Sequence, residues 1–272
     1  MLGLIAGEGT FPLTIARSAR SRGTKLLCVA LRDMADPEIE SVVDDVAWIH
    51  LGEAAAGIAF LKQGGVHQAV IAGKVPKRVL YGDTESLRFD EGAEQVMGSL
   101  ADRKDDTIML AIADFLAGAG IELLPQWSLS PELLLGPGPL GKCTPTPAQQ
   151  EDIAFGLPIA KKIGELDIGQ TVVVKDRAVL AVEAIEGTDA AIRRAGTIAR
   201  GGCVVKVAKP DQDPRFDVPA IGPRTVEMLL EARASVLAFE AGATIVLERE
   251  AVVARADAEG LVIVGVEWEV EP

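Results

Sequence analysis

Through the first half of this 272-residue chain, short apolar runs alternate with helix-patterned stretches, and that alternation restricts the fold more than any other feature. Residues 2–6, 25–31, 46–50, 69–72 and 121–124 read as buried strands. Residues 11–22, 54–63 and 105–117 read as helices between them, the last ended by Gly118 and Gly120. Strands separated by helices do not pair as hairpins. They predict a parallel sheet with helices on both faces, whose ligands bind beyond the carboxyl ends of the strands.

Residues 135–147 carry four prolines and three glycines, a density at which no regular element is expected. The domain boundary is therefore placed there. Residues 1–135 form a Rossmann-like parallel-sheet domain, 136–147 a Gly/Pro-rich linker, and 148–272 a mixed α/β carboxy-terminal domain. In the second part, 148–163 reads as a helix, and 171–175 with 178–185 as a hairpin turning at Asp176-Arg177. A helix over 190–199 is expected to be capped by Thr188 or Asp189. A strand at 203–208, a loop at 209–219, a helix at 223–233 and strands at 236–239, 244–247 and 261–264 complete the α/β reading.

Composition removes several function classes. Hydrophobic residues make up 49% of the chain, which excludes a disordered protein. Twenty-seven Lys and Arg against 40 Asp and Glu leave a net charge of −13, and aromatics are only 4%. Neither a basic face nor a stacking platform for nucleic acid is expected. Cys28, Cys143 and Cys203 are far apart and read as small hydrophobes, while His50 and His67 are too few for a His-rich metal site. The amino terminus has no basic region ahead of a long apolar stretch, and the aliphatic runs are strand-sized. No signal peptide or membrane span is expected, and a soluble, cytoplasmic protein is.

Several short motifs sit where such a fold binds ligands. Gly7-Glu8-Gly9-Thr10-Phe11-Pro12 follows the first strand and opens the first helix, where glycines admit a ligand and exposed amides attract phosphate. It lacks the third glycine of a dinucleotide fingerprint, since Pro12 stands there. Gly73-Lys74-Val75-Pro76-Lys77-Arg78 follows the fourth strand and brings three cations to the same edge. Glu186-Gly187-Thr188-Asp189 ends a strand and starts a helix, Lys206 and Lys209 flank another strand end, and Asp217 lies in a loop between Pro214 and Pro219. Each has a plain structural reading as well: a tight turn, a solvated basic loop, a helix cap or a surface carboxylate.

Taken in order, these pieces resemble one family. The resemblance runs through Leu2-Gly3-Leu4-Ile5-Ala6-Gly7-Glu8-Gly9, Ala72-Gly73-Lys74-Val75, Gly141-Lys142 and Leu166-Asp167-Ile168-Gly169-Gln170. It continues through Ala181-Val182-Glu183-Ala184-Ile185-Glu186-Gly187-Thr188-Asp189 and Phe216-Asp217-Val218-Pro219-Ala220-Ile221-Gly222. The chain is similar to the LpxI-type UDP-2,3-diacylglucosamine pyrophosphatases of lipid A biosynthesis. The resemblance implies a Mg²⁺-dependent hydrolase in which water attacks the α-phosphorus of a glycolipid nucleotide, giving UMP and 2,3-diacylglucosamine 1-phosphate. It implies an active site between the two domains and puts the essential aspartate at Asp217, as metal ligand or as the base that handles water. Asp189 and Glu186 follow as further metal candidates, and Gly7, Gly9, Gly73, Lys74, Gly187, Thr188, Asp189, Lys206 and Lys209 as substrate-binding candidates. Glu8 sets an anion beside the glycine turn and argues against a simple phosphate cradle in that loop. Transient peripheral contact with the inner membrane is expected, and a homo-oligomer is compatible with the sequence. A nicotinamide-dependent nucleotide-sugar oxidoreductase or epimerase is the runner-up, disfavoured by Pro12 and by the absence of a Tyr-x-x-x-Lys pair; a non-catalytic UDP-sugar or lipid carrier is the third reading.

Overall fold

A computed structural model of the protein describes residues 1–75, 89–100, 105–210 and 212–268. The chain divides into two compact units, Met1–Pro131 with Pro214–Phe216, and Glu132–Asp213 with Asp217–Pro272.

The first unit holds β1 (Leu2–Ala6), α1 (Phe11–Ser21), β2 (Leu26–Leu31), β3 (Asp45–Ile49), α2 (Ala54–Gln63), β4 (Gln68–Ala72), α3 (Glu91–Ser99), α4 (Asp105–Gly118) and β5 (Glu122–Leu123). Its strands lie in the order β3-β2-β1-β4-β5, all parallel. All six residues of β2 are buried, because helices cover a parallel sheet on both faces and leave its central strands no solvated side. The sheet order reverses at β1 and β4, the crevice where doubly wound folds take ligands. Helix α3 has no counterpart in the sequence reading. Asp90 makes it: one carboxylate oxygen accepts from Ala93 N at 2.9 Å, and the other from Ala55 N at 2.8 Å at the start of α2. One side chain thus caps two helices.

The second unit holds β6 (Gly138–Pro139), α5 (Pro147–Glu165), β7 (Thr171–Lys175), β8 (Ala178–Val182), α6 (Thr188–Ile198), β9 (Cys203–Lys206), β10 (Ala220–Ile221), α7 (Pro223–Glu231), β11 (Val236–Glu240), β12 (Ile245–Val246), α8 (Arg249–Glu259) and β13 (Val262–Val266). Six strands form a mixed sheet ordered β6-β13-β11-β9-β7-β8, and β10 pairs with β12 separately. Strands β9, β11 and β13 are parallel, while β7 is antiparallel to both β8 and β9. The expected hairpin turns at Asp176 and Arg177, both at positive φ as a two-residue turn requires. Buried Asp152 holds it by accepting from both turn amides, at 3.1 and 2.7 Å. Two apolar clusters cover the two faces of this sheet.

Two departures have local causes. The Gly/Pro-rich stretch supplies β6, a two-residue strand at the sheet edge, where Pro139 need not donate to the ladder. Helix α8 escapes the sequence reading because it buries only Val252 and Ala256, one turn apart, among charged residues.

Gly73 sits at φ +89°, and a Cβ there would lie 2.7 Å from the Gly7 carbonyl carbon. Gly73→Ala should therefore lower unfolding free energy by about 1–3 kcal/mol. A urea-denaturation shift under about 0.5 kcal/mol would contradict this packing. Burial pushes the Cys28 thiol up to about 12, and burial together with nearby Asp152 pushes Cys203 up to about 12; Cys143 is half-buried. At about pH 8, a disulfide reagent should reach one thiol in the native protein and all three in the denatured protein. Rapid native reaction of a second thiol would contradict the buried placement.

Candidate functional site

Strands β8, β9, β11 and β13 all run the same way, so the segments that follow them emerge at one edge of the second sheet. That edge collects residues 183–189 after β8, 207–210, 212–213 and 217–219 after β9, and Glu240 at the end of β11. The topology thus assembles Gly187, Thr188, Asp189, Lys206, Lys209 and the loop of Asp217, which the sequence holds up to thirty residues apart.

The Glu186–Asp189 motif is a helix start, though not through the expected side-chain cap. Gly187 is the N-cap at φ +81°, with no side-chain cap bond. Thr188 is already helical, and its Oγ1 donates instead to Glu183 Oε1 at 2.8 Å. Glu183, 7% exposed, also accepts from Gln170 N at 3.4 Å. Gly169 is required opposite it, since a Cβ there would lie 2.3 Å from the Glu183 carbonyl oxygen. Asp189 Oδ2 accepts from Arg224 Nε at 3.0 Å, which ties the start of α6 to that of α7. Glu186 Oε1 lies 2.7 Å from Arg194 Nη2. Its own backbone amide first, and Arg194 second, hold its carboxyl below the usual range.

The cations are committed in a comparable way. Lys206 is 8% exposed, and its ammonium donates to Ala220 O at 3.1 Å. Lys209 Nζ lies 2.7 Å from Asp167 Oδ1, and its backbone amide donates to Gln212 Oε1 at 2.9 Å. Asp217 is half-buried. Its amide donates to Asp213 O at 2.9 Å, and among the described residues its carboxylate has no hydrogen-bond or ion-pair partner. Beyond it the loop is pinned, with Ile245 N donating to Pro219 O at 2.9 Å and β10 pairing with β12. Sequence reasoning missed a buried ion pair at the same edge, Lys161 in α5 and Glu240, whose partners are 79 residues apart.

In the first unit, Gly7 and Gly73 serve close backbone approach. Glu8 and Lys74 form a backbone bridge, with Glu8 N to Lys74 O at 2.8 Å and Lys74 N to Glu8 O at 2.9 Å. A Cβ on Gly7 would lie 2.7 Å from the Lys74 carbonyl oxygen. Gly9, at φ +109°, has open space where a Cβ would stand. It opens onto a shallow cavity of about 1000 Å³, lined also by Thr10, Asp33, Asp36, Trp48 and His50. Pro76, Lys77 and Arg78 lie outside the described residues.

Among the described residues, no three His, Cys, Asp or Glu side chains gather as a metal cage. Glu186 and Asp189 each answer an arginine, which leaves Asp217 as the open carboxylate. A single carboxylate is compatible with Mg²⁺, which is held by one or two carboxylates completed by water and substrate phosphate.

Residues 1–133 match the LpxI N-terminal domain, and residues 136–264 match the LpxI C-terminal domain. A relative from Caulobacter vibrioides, the UDP-2,3-diacylglucosamine pyrophosphatase LpxI, is 35% identical over 283 aligned positions, covering 100% of this chain and 99% of its own. Solved structures are only distantly similar. The Bordetella bronchiseptica enzyme WbmG in complex with NAD and UDP is 14% identical over 44% of this chain and 34% of its own, at a TM-score of 0.29. A UDP-glucose-4-epimerase from Stenotrophomonas maltophila is 9% identical over the same shares, 44% and 34%, at 0.28. Likeness at that level carries no argument about ligands.

Arg194→Met should raise the Glu186 carboxyl toward the ordinary glutamate range without reaching it, because the backbone contribution remains. Any stabilisation from a lowered carboxyl is present above the unfolded pKa and lost as pH falls through the folded one, so the effect belongs to acid solution. Carboxyl NMR titration of both proteins checks this, and an unchanged Glu186 midpoint would contradict the pairing.

Proposed function

The chain belongs to the LpxI family, and from that membership we propose that it hydrolyses the diphosphate of UDP-2,3-diacylglucosamine to UMP and 2,3-diacylglucosamine 1-phosphate. The full-length match to a relative named for that pyrophosphatase activity carries the reading. The committed charges at the second sheet edge and the half-buried Asp217 carboxylate, without a partner among the described residues, support it.

Water adds to one phosphorus of the diphosphate, the bond from that phosphorus to the bridging oxygen breaks, and the bridging oxygen leaves with the other phosphate. Such a reaction asks the protein for position and charge more than for covalent chemistry. Asp217 holds the water, accepts its proton, or contributes one oxygen to Mg²⁺. A bound Mg²⁺ supplies charge neutralisation on the phosphate oxygens. The amino-terminal ends of α6 and α7 bring backbone N–H groups and the positive ends of two helix dipoles to this edge. Thr188 has its hydroxyl proton committed to Glu183, so toward a ligand it accepts rather than donates.

Among the described residues no helix is long and apolar enough to cross a membrane. The two acyl chains of this substrate imply peripheral, transient contact with the bilayer that holds it. Ile185, 95% exposed beside the Glu186–Asp189 motif, is the apolar side chain best suited to that contact.

Incubation with UDP-2,3-diacylglucosamine, Mg²⁺ and ¹⁸O-water, followed by mass analysis of both products, tests the reaction. UMP and the sugar phosphate are the expected products, with the label marking the phosphorus that water attacks; release of UDP would overturn the assignment. Asp217→Ala should melt as the wild type does and still bind 2,3-diacylglucosamine 1-phosphate. Its turnover should fall by about 10²–10⁴-fold, and near-normal turnover would remove Asp217 from the reaction.

A further inference from the structure

The Lys161–Glu240 pair lies in a place where stability alone gives it no purpose. The two side chains are 10% and 13% exposed, and Lys161 Nζ reaches both carboxylate oxygens at 2.6 and 2.5 Å. Taking two charges out of water costs about as much as their attraction returns, and apolar residues of similar volume often serve as well or better. The distinguishing feature is what else the pair holds. Glu240 Oε2 accepts from Ala208 N at 2.8 Å, and Lys161 Nζ donates to Ala208 O at 3.1 Å. One ion pair grips both polar groups of a single residue. The Trp268 ring, 6.0 Å from the Lys161 ammonium, lies beside it.

Ala208 is where the chain leaves β9 for the loop that carries Asp217. The far end of that loop is held by a second lysine, since Lys206 Nζ donates to Ala220 O at 3.1 Å. Asp217 is therefore bracketed by two buried ammonium-to-carbonyl ties, at Ala208 and at Ala220, and both lysines stand on regular elements of the unit, α5 and β9. We propose that Lys161, Glu240 and Lys206 are positioning residues that fix both ends of the Asp217 loop, so that its carboxylate is held in place before substrate arrives. Lys206, which a sequence reading takes for a phosphate ligand, acts here through the backbone of the loop. The inference rests on the pyrophosphatase reading for its kinetic readout and on geometry for the rest.

The test compares Lys161→Met/Glu240→Leu with Lys161→Met/Glu240→Gln and with the wild type, following UMP release from UDP-2,3-diacylglucosamine. Both doubles remove the charges together, and only the glutamine variant keeps an acceptor for Ala208 N–H. The leucine double should lose about 100-fold in kcat with KM within about threefold, as expected when a reacting group is misplaced by about 1 Å. The glutamine double should recover about tenfold of that loss. A folded leucine double with wild-type kcat, or a loss confined to KM, overturns the proposal. If that double does not fold, Lys206→Met must show the same kcat-selective loss or the proposal fails. Hydrogen exchange of the wild-type protein needs no variant, and fast exchange of the Ala208 amide also overturns it. A wild type that releases no UMP sinks the pyrophosphatase reading instead and leaves the exchange result to judge the clamp.

Discussion

A strand in a parallel sheet has its amide ladder satisfied by neighbours running the same way, so the chain that leaves it emerges at the same edge as the chain leaving every other strand. The rest of this protein depends on that constraint. In the first unit it brings the turn after β1 and the turn after β4 together, close enough for Glu8 and Lys74 to pair through their backbones. In the second it gathers the segments after β8, β9 and β11, and through them the residues of the candidate site. No motif has to carry the site by itself; the direction of the strands does most of the assembling.

Charge at the second edge is largely answered within the chain. Glu186 meets Arg194, Asp189 meets Arg224, Asp167 meets Lys209 and Glu240 meets Lys161. The three exposed pairs add little stability. They do decide which side chains remain available, since a carboxylate already facing a guanidinium is poorly placed to bind a cation. Against that background Asp217 combines partial burial with a carboxylate that has no partner among the described residues, the state expected of a group that meets water, a metal or substrate rather than its own protein.

Much of this was legible in the sequence, for physical reasons that differ by element. The buried strands of the first unit declare themselves because β2 has no solvated face and so no polar residue. Helices α3 and α8 and edge strand β6 did not, since a helix that buries only two or three small residues, or a strand of glycine and proline, has almost no periodicity to read. Gly7 and Gly73, possible ligand contacts in the sequence, also meet a packing need, since a Cβ on either would stand 2.7 Å from the backbone of the other turn. Glu183, Lys161 and Glu240 were invisible for a deeper reason. A buried charge is recognised by its partner, and Lys161 and Glu240 lie 79 residues apart. Lys206 was noticed for its charge, but only its burial reveals that the charge is turned toward Ala220.

Net charge illustrates the same difference of scale. Thirteen net negative charges over 13524 Å² of accessible surface amount to one per roughly 1040 Å², a mean spacing of about 32 Å. Screening at physiological salt acts over about 8–10 Å, so the average charge of the body contributes little to the potential at any one edge. What a diphosphate would meet is the local arrangement: two helix starts, a few lysines and arginines already fixed by partners, and the half-buried Asp217 carboxylate, which has none among the described residues. An acidic protein and an anionic ligand are therefore compatible wherever groups within a screening length are ordered by the fold. The ordering, rather than the excess of one sign, is what the strand directions and the two lysine ties supply.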